Sequence, residues 1–158
     1  MRSRYRRVVT GLDAGGQSCV LFDDGAGFES SNGATSVALL WQSRQAPASN
    51  IGTCDAACEG FSFDFAPGAT KCILVDIAPT AGLMPPGMHS TNTLDYVVLL
   101  AGQLTLYLDG AEVELHSGDV VINRGNLHGW RNSGPAVARI LVVNVDALPA
   151  GSGATIGN

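Results

Sequence analysis

From about residue 70 onward, apolar and polar residues alternate in short runs separated by turn-forming residues. The runs 71–77, 95–100, 103–108, 111–115, 119–122, 128–132 and 137–145 read as strands, because their period is two and Val, Ile and Leu dominate them. Ala101-Gly102 and Asp109-Gly110 read as tight hairpin turns, where glycine accepts a positive φ at little steric cost. Ser117-Gly118 and Ser133-Gly134-Pro135 mark two further turns. The N-terminal half is less regular. Residues 6–21 predict one or two strands around Asp13-Ala14-Gly15-Gly16, 23–33 a loop rich in Asp, Gly and Ser, 37–41 a short strand, and 43–60 a long irregular loop. The proline-containing stretch 79–87 reads as a stiff connection. Helical periodicity is almost absent and no repeat recurs, so the fold class is all-β and antiparallel. One domain over 1–148 is expected, followed by a Gly/Ser/Ala-rich tail, 149–158, expected to be disordered. Periodicity alone leaves a sandwich and a closed barrel equally open.

Composition narrows the function classes. Apolar residues make up 46% and charged residues 15% of the 158, the balance of a chain that folds around a core. The net charge of −5 gives no long-range attraction to phosphate backbones or anionic lipid, so neither nucleic acid nor membrane is expected as a partner. No apolar run approaches the roughly 20 residues needed to cross a bilayer. The arginines at 2, 4, 6 and 7 precede no apolar signal-peptide core, so they read as a solvated arm or edge strand and the expected location is the cytoplasm. Cys19 and Cys72 sit in apolar runs and read as small buried hydrophobes. Cys54 and Cys58 read as free thiols, with a zinc clip or redox pair as the alternative.

The candidate chemistry lies with two of the three histidines. His89, Thr91, Thr93 and Asp95 are spaced by two and would share a face of a continuous strand; His128, Trp130 and Asn132 do the same. Two imidazoles and a carboxylate suit Fe, Zn, Mn, Ni or Co and leave coordination positions open for water or substrate. Spacing alone equally allows His89 and His128 to be ordinary, partly buried histidines. His116, at a turn, reads as exposed. Arg124 could hold a substrate carboxylate in its guanidinium fork or form an exposed ion pair. Trp130 reads as pocket wall or core, and Tyr96 should face away from Asp95.

The stretch 82–132 resembles the two motifs of the cupin superfamily. The first corresponds to His89-Ser90-Thr91 with Asp95 and Gly102, the second to Gly118-Asp119, Asn123-Arg124-Gly125-Asn126-Leu127-His128 and Asn132, with fifteen residues between Gly102 and Gly118. Thr91 stands where the family has its second histidine, Asp95 where it has glutamate, and Asn123 where it has proline. The resemblance implies an antiparallel jelly-roll β-barrel and a divalent transition metal on His89, Asp95 and His128. A threonine hydroxyl is a poor neutral ligand, so Thr91 would hold metal-bound water or substrate; Asp95 is shorter than glutamate by about 1.5 Å of reach. It also implies a small-molecule substrate, with Asp95, Arg124 and Thr91 as the catalytic candidates. The expected activity is that of a lyase, decarboxylase or isomerase acting on an oxygenated or carboxylated molecule, with the metal as Lewis acid. An Fe(II)-dependent dioxygenase and a non-catalytic binder are the alternatives. A homodimer is expected because open sheet edges need cover, with the arginine-rich N-terminal strand as a candidate edge.

Overall fold

The computed structural model describes residues 4–80 and 87–156. Eleven strands follow in chain order: β1 (Arg7–Leu12), β2 (Ser18–Asp24), β3 (Phe28–Ser31), β4 (Thr35–Ser43), β5 (Thr70–Ile77), β6 (Thr93–Ala101), β7 (Gln103–Leu108), β8 (Ala111–His116), β9 (Val120–Asn123), β10 (Gly129–Arg131) and β11 (Ala138–Asp146). There is no helix among the described residues. A six-stranded sheet in the order β3-β4-β5-β11-β6-β9 faces a three-stranded sheet, β10-β7-β8, and β1 with β2 forms a separate hairpin. The strands therefore make two facing sheets of a jelly roll, without one closed ring of hydrogen bonds.

The strands expected from 70 onward are present, each within two residues of its expected ends. The stretch 23–33 was expected to be a loop, but it contains the end of β2 and all of β3. Phe28-Glu-Ser-Ser carries one apolar residue, so only pairing with β4, Phe28 opposite Leu39, makes it a strand. Beyond Ser43, the last residue of β4, the segment expected to be a long irregular loop is irregular through residue 60. The expected stiff connection at 79–87 lies largely outside the described residues.

The two expected hairpin turns divide: Ala101-Gly102 carries the chain from β6 of the six-stranded sheet to β7 of the three-stranded one and is no hairpin, because the two strands pair with other partners, whereas Asp109-Gly110 is one. Gly102 has φ +84, and a Cβ there would stand 2.8 Å from the Ala138 Cα, so both its conformation and the close approach of β11 demand glycine. Asp109-Gly110 does join β7 to β8 as a two-residue hairpin, yet Gly110 is not among the positive-φ glycines; its turn does not need the freedom expected of it.

Register organises the core into layers. Leu39, Ile73, Val142, Val97 and Val121 are successive cross-strand partners over β4, β5, β11, β6 and β9, and Val37, Val75, Ile140 and Leu99 form the next row. Leu104 and Leu106 of β7 and Leu115 of β8 close over these rows from the small sheet. On the outer face, Asp76 is 2% exposed and accepts hydrogen bonds from Arg139, Tyr5 and Arg4, laying the N-terminal arm across the sheet. Arg7 binds Asp24, Asp55 and the Leu40 carbonyl, tying the hairpin to the long loop. Arg4 and Arg7, expected in a solvated arm or edge strand, are not simply solvated: Arg7 does begin β1, an edge strand, and both arginines are engaged by carboxylates of distant segments. At the other end, the Ser90 amide donates to Thr155 Oγ1, and the amides of Thr155 and Ile156 donate to the Ser90 carbonyl. The part of the tail expected to be disordered is thereby held beside the site through residue 156.

Candidate metal and ligand site

The apolar layering stops at one row. The next cross-strand set on the inner face is Gln42, Lys71, Asn144, Asp95 and Asn123, on the same five strands, and all five are buried. Burying five polar side chains in one layer is costly unless each finds partners. Asn144 Nδ2 donates to Asp95 Oδ1 at 2.7 Å and Asn123 Nδ2 to Asp95 Oδ2 at 3.2 Å, so two amides hold the carboxylate. Lys71 Nζ donates to the carbonyls of Ser62 and Asp64, and the Phe65 ring centroid lies 4.3 Å from it. Burial pushes the Lys71 ammonium pKa below its ordinary value, with Asp64 opposing and Arg44 adding to the effect. Gln42 Nε2 donates to the Ala56 carbonyl.

His89 and His128 meet beside this row. Each amide donates to the other's carbonyl, at 2.8 and 2.9 Å, so the two residues are directly opposite and their side chains share a face. Their ring centroids are 4.3 Å apart. His89 Nδ1 lies 2.9 Å from the Gly87 carbonyl and His128 Nδ1 2.9 Å from that of Asn126. A carbonyl only accepts, so this network assigns the proton of each ring to Nδ1; the Nε2 lone pair of His89 is left free, while that of His128 faces the Asn123 Nδ2 donor at 3.3 Å. Asn123 Nδ2 lies within 3.1–3.3 Å of the His128 ring nitrogens and so links that ring to Asp95. Burial depresses the His128 pKa, and His89 adds to the effect against the Asn126 carbonyl and Asp95. A neutral imidazole oriented through Nδ1 by a carbonyl is the form that binds a metal through Nε2.

The remaining candidates are placed unevenly. Thr91 is buried, its Oγ1 2.7 Å from Thr93 Oγ1, as the two-residue parity requires. Trp130 shares the parity of His128, ring centroids 5.8 Å apart, and packs against the core. Arg124 is exposed after β9 and makes no ion pair among the described residues. His116 and Tyr96 are exposed. Cys54 and Cys58 are free and exposed, and Cys58 Sγ donates to the Asp55 carbonyl. Among the described residues, no three His, Cys, Asp or Glu side chains are grouped closely enough to hold a metal ion. The two imidazoles fit such an ion; Asp95 adds its charge from within its amide cage. Sequence reasoning missed Gln42, Lys71 and Asn144. The signal available was a polar residue at inward parity in an otherwise apolar strand, as in Lys71-Cys-Ile-Leu-Val and Val142-Val-Asn144-Val.

The model of the Cupin domain matches residues 73–144, from β5 through Asn144, and so takes in His89, Asp95 and His128. The cupin domain of Schizosaccharomyces pombe Cnp3 superposes over 90% of this chain and 88% of that one, with a TM-score of 0.53 at 12% identity. The chain belongs to the cupin superfamily. Among curated relatives, this cupin is 39% identical over 87 residues to the phomopsin biosynthesis cluster protein D of Diaporthe leptostromiformis, covering 54% of this chain and 44% of that protein. It is 33% identical over 82 residues to the cupin-domain-containing oxidoreductase virC of Hypocrea virens, covering 49% and 41%. The chain spans less than half the length of these relatives. No helix among the described residues is long and apolar enough to cross a membrane.

Proposed function

We propose that this cupin is a metal-dependent enzyme acting on a small oxygenated or carboxylated molecule, of the lyase, decarboxylase or isomerase type. The observation that carries this reading is the pair His89 and His128, each anchored through Nδ1 to a carbonyl, with Nε2 of His89 free and that of His128 beside the Asn123 amide, which a metal would displace. Bound there, a divalent Fe, Zn, Mn, Ni or Co ion would supply Lewis-acid polarisation of a substrate oxygen. The chain's own residues bind and orient. The Asp95 carboxylate, held by Asn123 and Asn144, sets a fixed negative charge beside His128 and favours a cationic or proton-bearing group there. Trp130 walls the His128 side and excludes water. Thr91 offers a hydroxyl on the face of His89, and Arg124 stands exposed on the β9–β10 connection.

Metal analysis tests the proposal. Wild-type protein purified without a histidine tag should hold close to one metal per chain, and His89→Ala or His128→Ala should lower the affinity at least about 100-fold, since each removes one nitrogen donor. Equal metal in all three proteins would remove the assignment. A second reading, redox chemistry with Fe(II) and oxygen, draws support from the description of virC as an oxidoreductase. Turnover under anaerobic conditions separates them, because a lyase continues and a dioxygenase stops.

A further inference from the structure

The inner polar row holds a buried cation without a counter-ion. Lys71 is 5% exposed, and its Nζ donates to the Ser62 carbonyl at 2.5 Å and to the Asp64 carbonyl at 2.7 Å. An ammonium carries three N–H groups, so one is left without an acceptor among the described residues. The Phe65 and Phe61 ring centroids stand 4.3 and 5.4 Å from Nζ and offer only their π faces. Two carbonyls and two rings compensate a buried charge only in part. This ammonium lies at the wall of a cavity of about 400 Å³. Lys71 lines the cavity, as do Ser62 and Asp64, whose carbonyls it meets, and Phe61, whose ring it faces. Phe28 of β3 adds a second apolar wall. The lining holds two cations: Arg44 is paired with Glu59, whereas Lys71 forms no ion pair among the described residues. Asp64 acts on Lys71 only from a distance, and it is exposed to water.

We propose that this cavity binds a small organic carboxylate, with its anionic end on Lys71 and its apolar body against Phe28 and Phe61. A carboxylate accepts the remaining N–H and supplies the missing negative charge in one group. An alcohol would accept the N–H and leave the charge uncompensated. A cationic ligand would meet Lys71 with like charge. The volume suits a ligand of one ring, since small-molecule pockets begin at about 300 Å³. The site stands apart from the histidine pair. Lys71 on β5 and Asp95 on β6 are separated by β11, and neighbouring strands are about 4.8 Å apart, so the two side chains lie roughly 10 Å from each other along the row. Nothing in the cavity lining depends on a metal.

Three probes of one shape, benzoate, benzyl alcohol and benzylamine, titrated into the full chain by calorimetry, test the site. Benzoate should bind at least about tenfold more tightly than benzyl alcohol, and benzylamine should show no saturable binding. Lys71→Met should lower the benzoate affinity at least about tenfold and leave that of the alcohol unchanged, because it removes the charge and keeps the length of the side chain. Benzoate should also shift the NMR signals of the Lys71 Hε protons in the wild type, a readout that stands even if the variant fails to fold. Alcohol bound as tightly as benzoate, no saturable benzoate binding, unmoved Lys71 signals, or a Lys71→Met protein that binds benzoate as the wild type does would each overturn the proposal. His89→Ala separates this result from the metal reading: it should lose metal and bind benzoate as before. Loss of both would mean that benzoate ligates the metal, and would also overturn the proposal. A wild type that holds no metal yet binds benzoate through Lys71 would sink the metal reading and leave this site standing.

Discussion

Replacing Asp76 with alanine should destabilise the protein by about 3 kcal/mol. The carboxylate is 2% exposed and receives Arg139 Nε at 2.6 Å, Arg139 Nη2 at 2.8 Å and Tyr5 Oη at 2.9 Å, with Arg4 as a further donor. Removing one side of a buried ion pair costs about 3–5 kcal/mol, because the stranded partner keeps its desolvation penalty. Here the Arg139 side chain is 30% exposed and that of Arg4 57%, so both recover some hydration and the lower end applies. A domain of this length loses roughly 2–4 °C per kcal/mol, so thermal unfolding followed by circular dichroism should shift down by about 6–12 °C. Acid should narrow the difference. Burial alone would raise the Asp76 pKa, but hydrogen bonds from Arg139, Tyr5 and Arg4 outweigh it and hold the carboxyl below its ordinary value. The folded state then binds fewer protons than the unfolded one. The stabilisation is complete above the unfolded value of about 3.9 and fades as pH falls through the folded value. Urea titrations of both proteins at neutral pH and below pH 4 measure this. A loss under about 1 kcal/mol at neutral pH, or a gap that does not shrink in acid, would refute the reasoning that this cluster clamps the arm to the sheet.

Three further outcomes are expected. Gly125→Ala should lower stability by about 1–2 kcal/mol, measured by urea titration, because Gly125 has φ +71 and a Cβ would stand 3.0 Å from the Thr91 carbonyl oxygen. Thr91→His should tighten metal binding while lowering turnover, by adding an imidazole on the parity of His89 and closing a position that water or substrate needs; unchanged metal affinity would show that residue 91 does not face the ion. A homodimer is expected through the outer face at the β9 edge, where Tyr96, Val120 and Ile122 are exposed, rather than through the engaged N-terminal arginines. Light scattering should give about twice 16.3 kDa, and Ile122→Lys should return the monomer mass.

The strands from 70 onward, the hairpin at Gly110 and the candidacy of His89, Asp95 and His128 were legible in the sequence, whereas the expected hairpin at Gly102 is a crossover between the two sheets. Period-two patterning and turn residues are local signals, and they survive folding unchanged. The N-terminal half was less legible because β3 exists only through its pairing with β4, and because Arg4 and Arg7 find their carboxylates on distant segments. The histidine pair needed register, which brings residues 39 positions apart into one antiparallel bridge. The polar row needed more. Counting by twos from the inward Leu39 would turn Gln42 outward, but the register shift between Leu39 and Trp41 adds one residue and returns Gln42 to the inner face. Lys71, Asn144 and Asp95 become neighbours only because β11 inserts between β5 and β6. The sequence alone determined which residues alternate. Which of them face one another is a property of strand order and of a bulge, which no local pattern encodes.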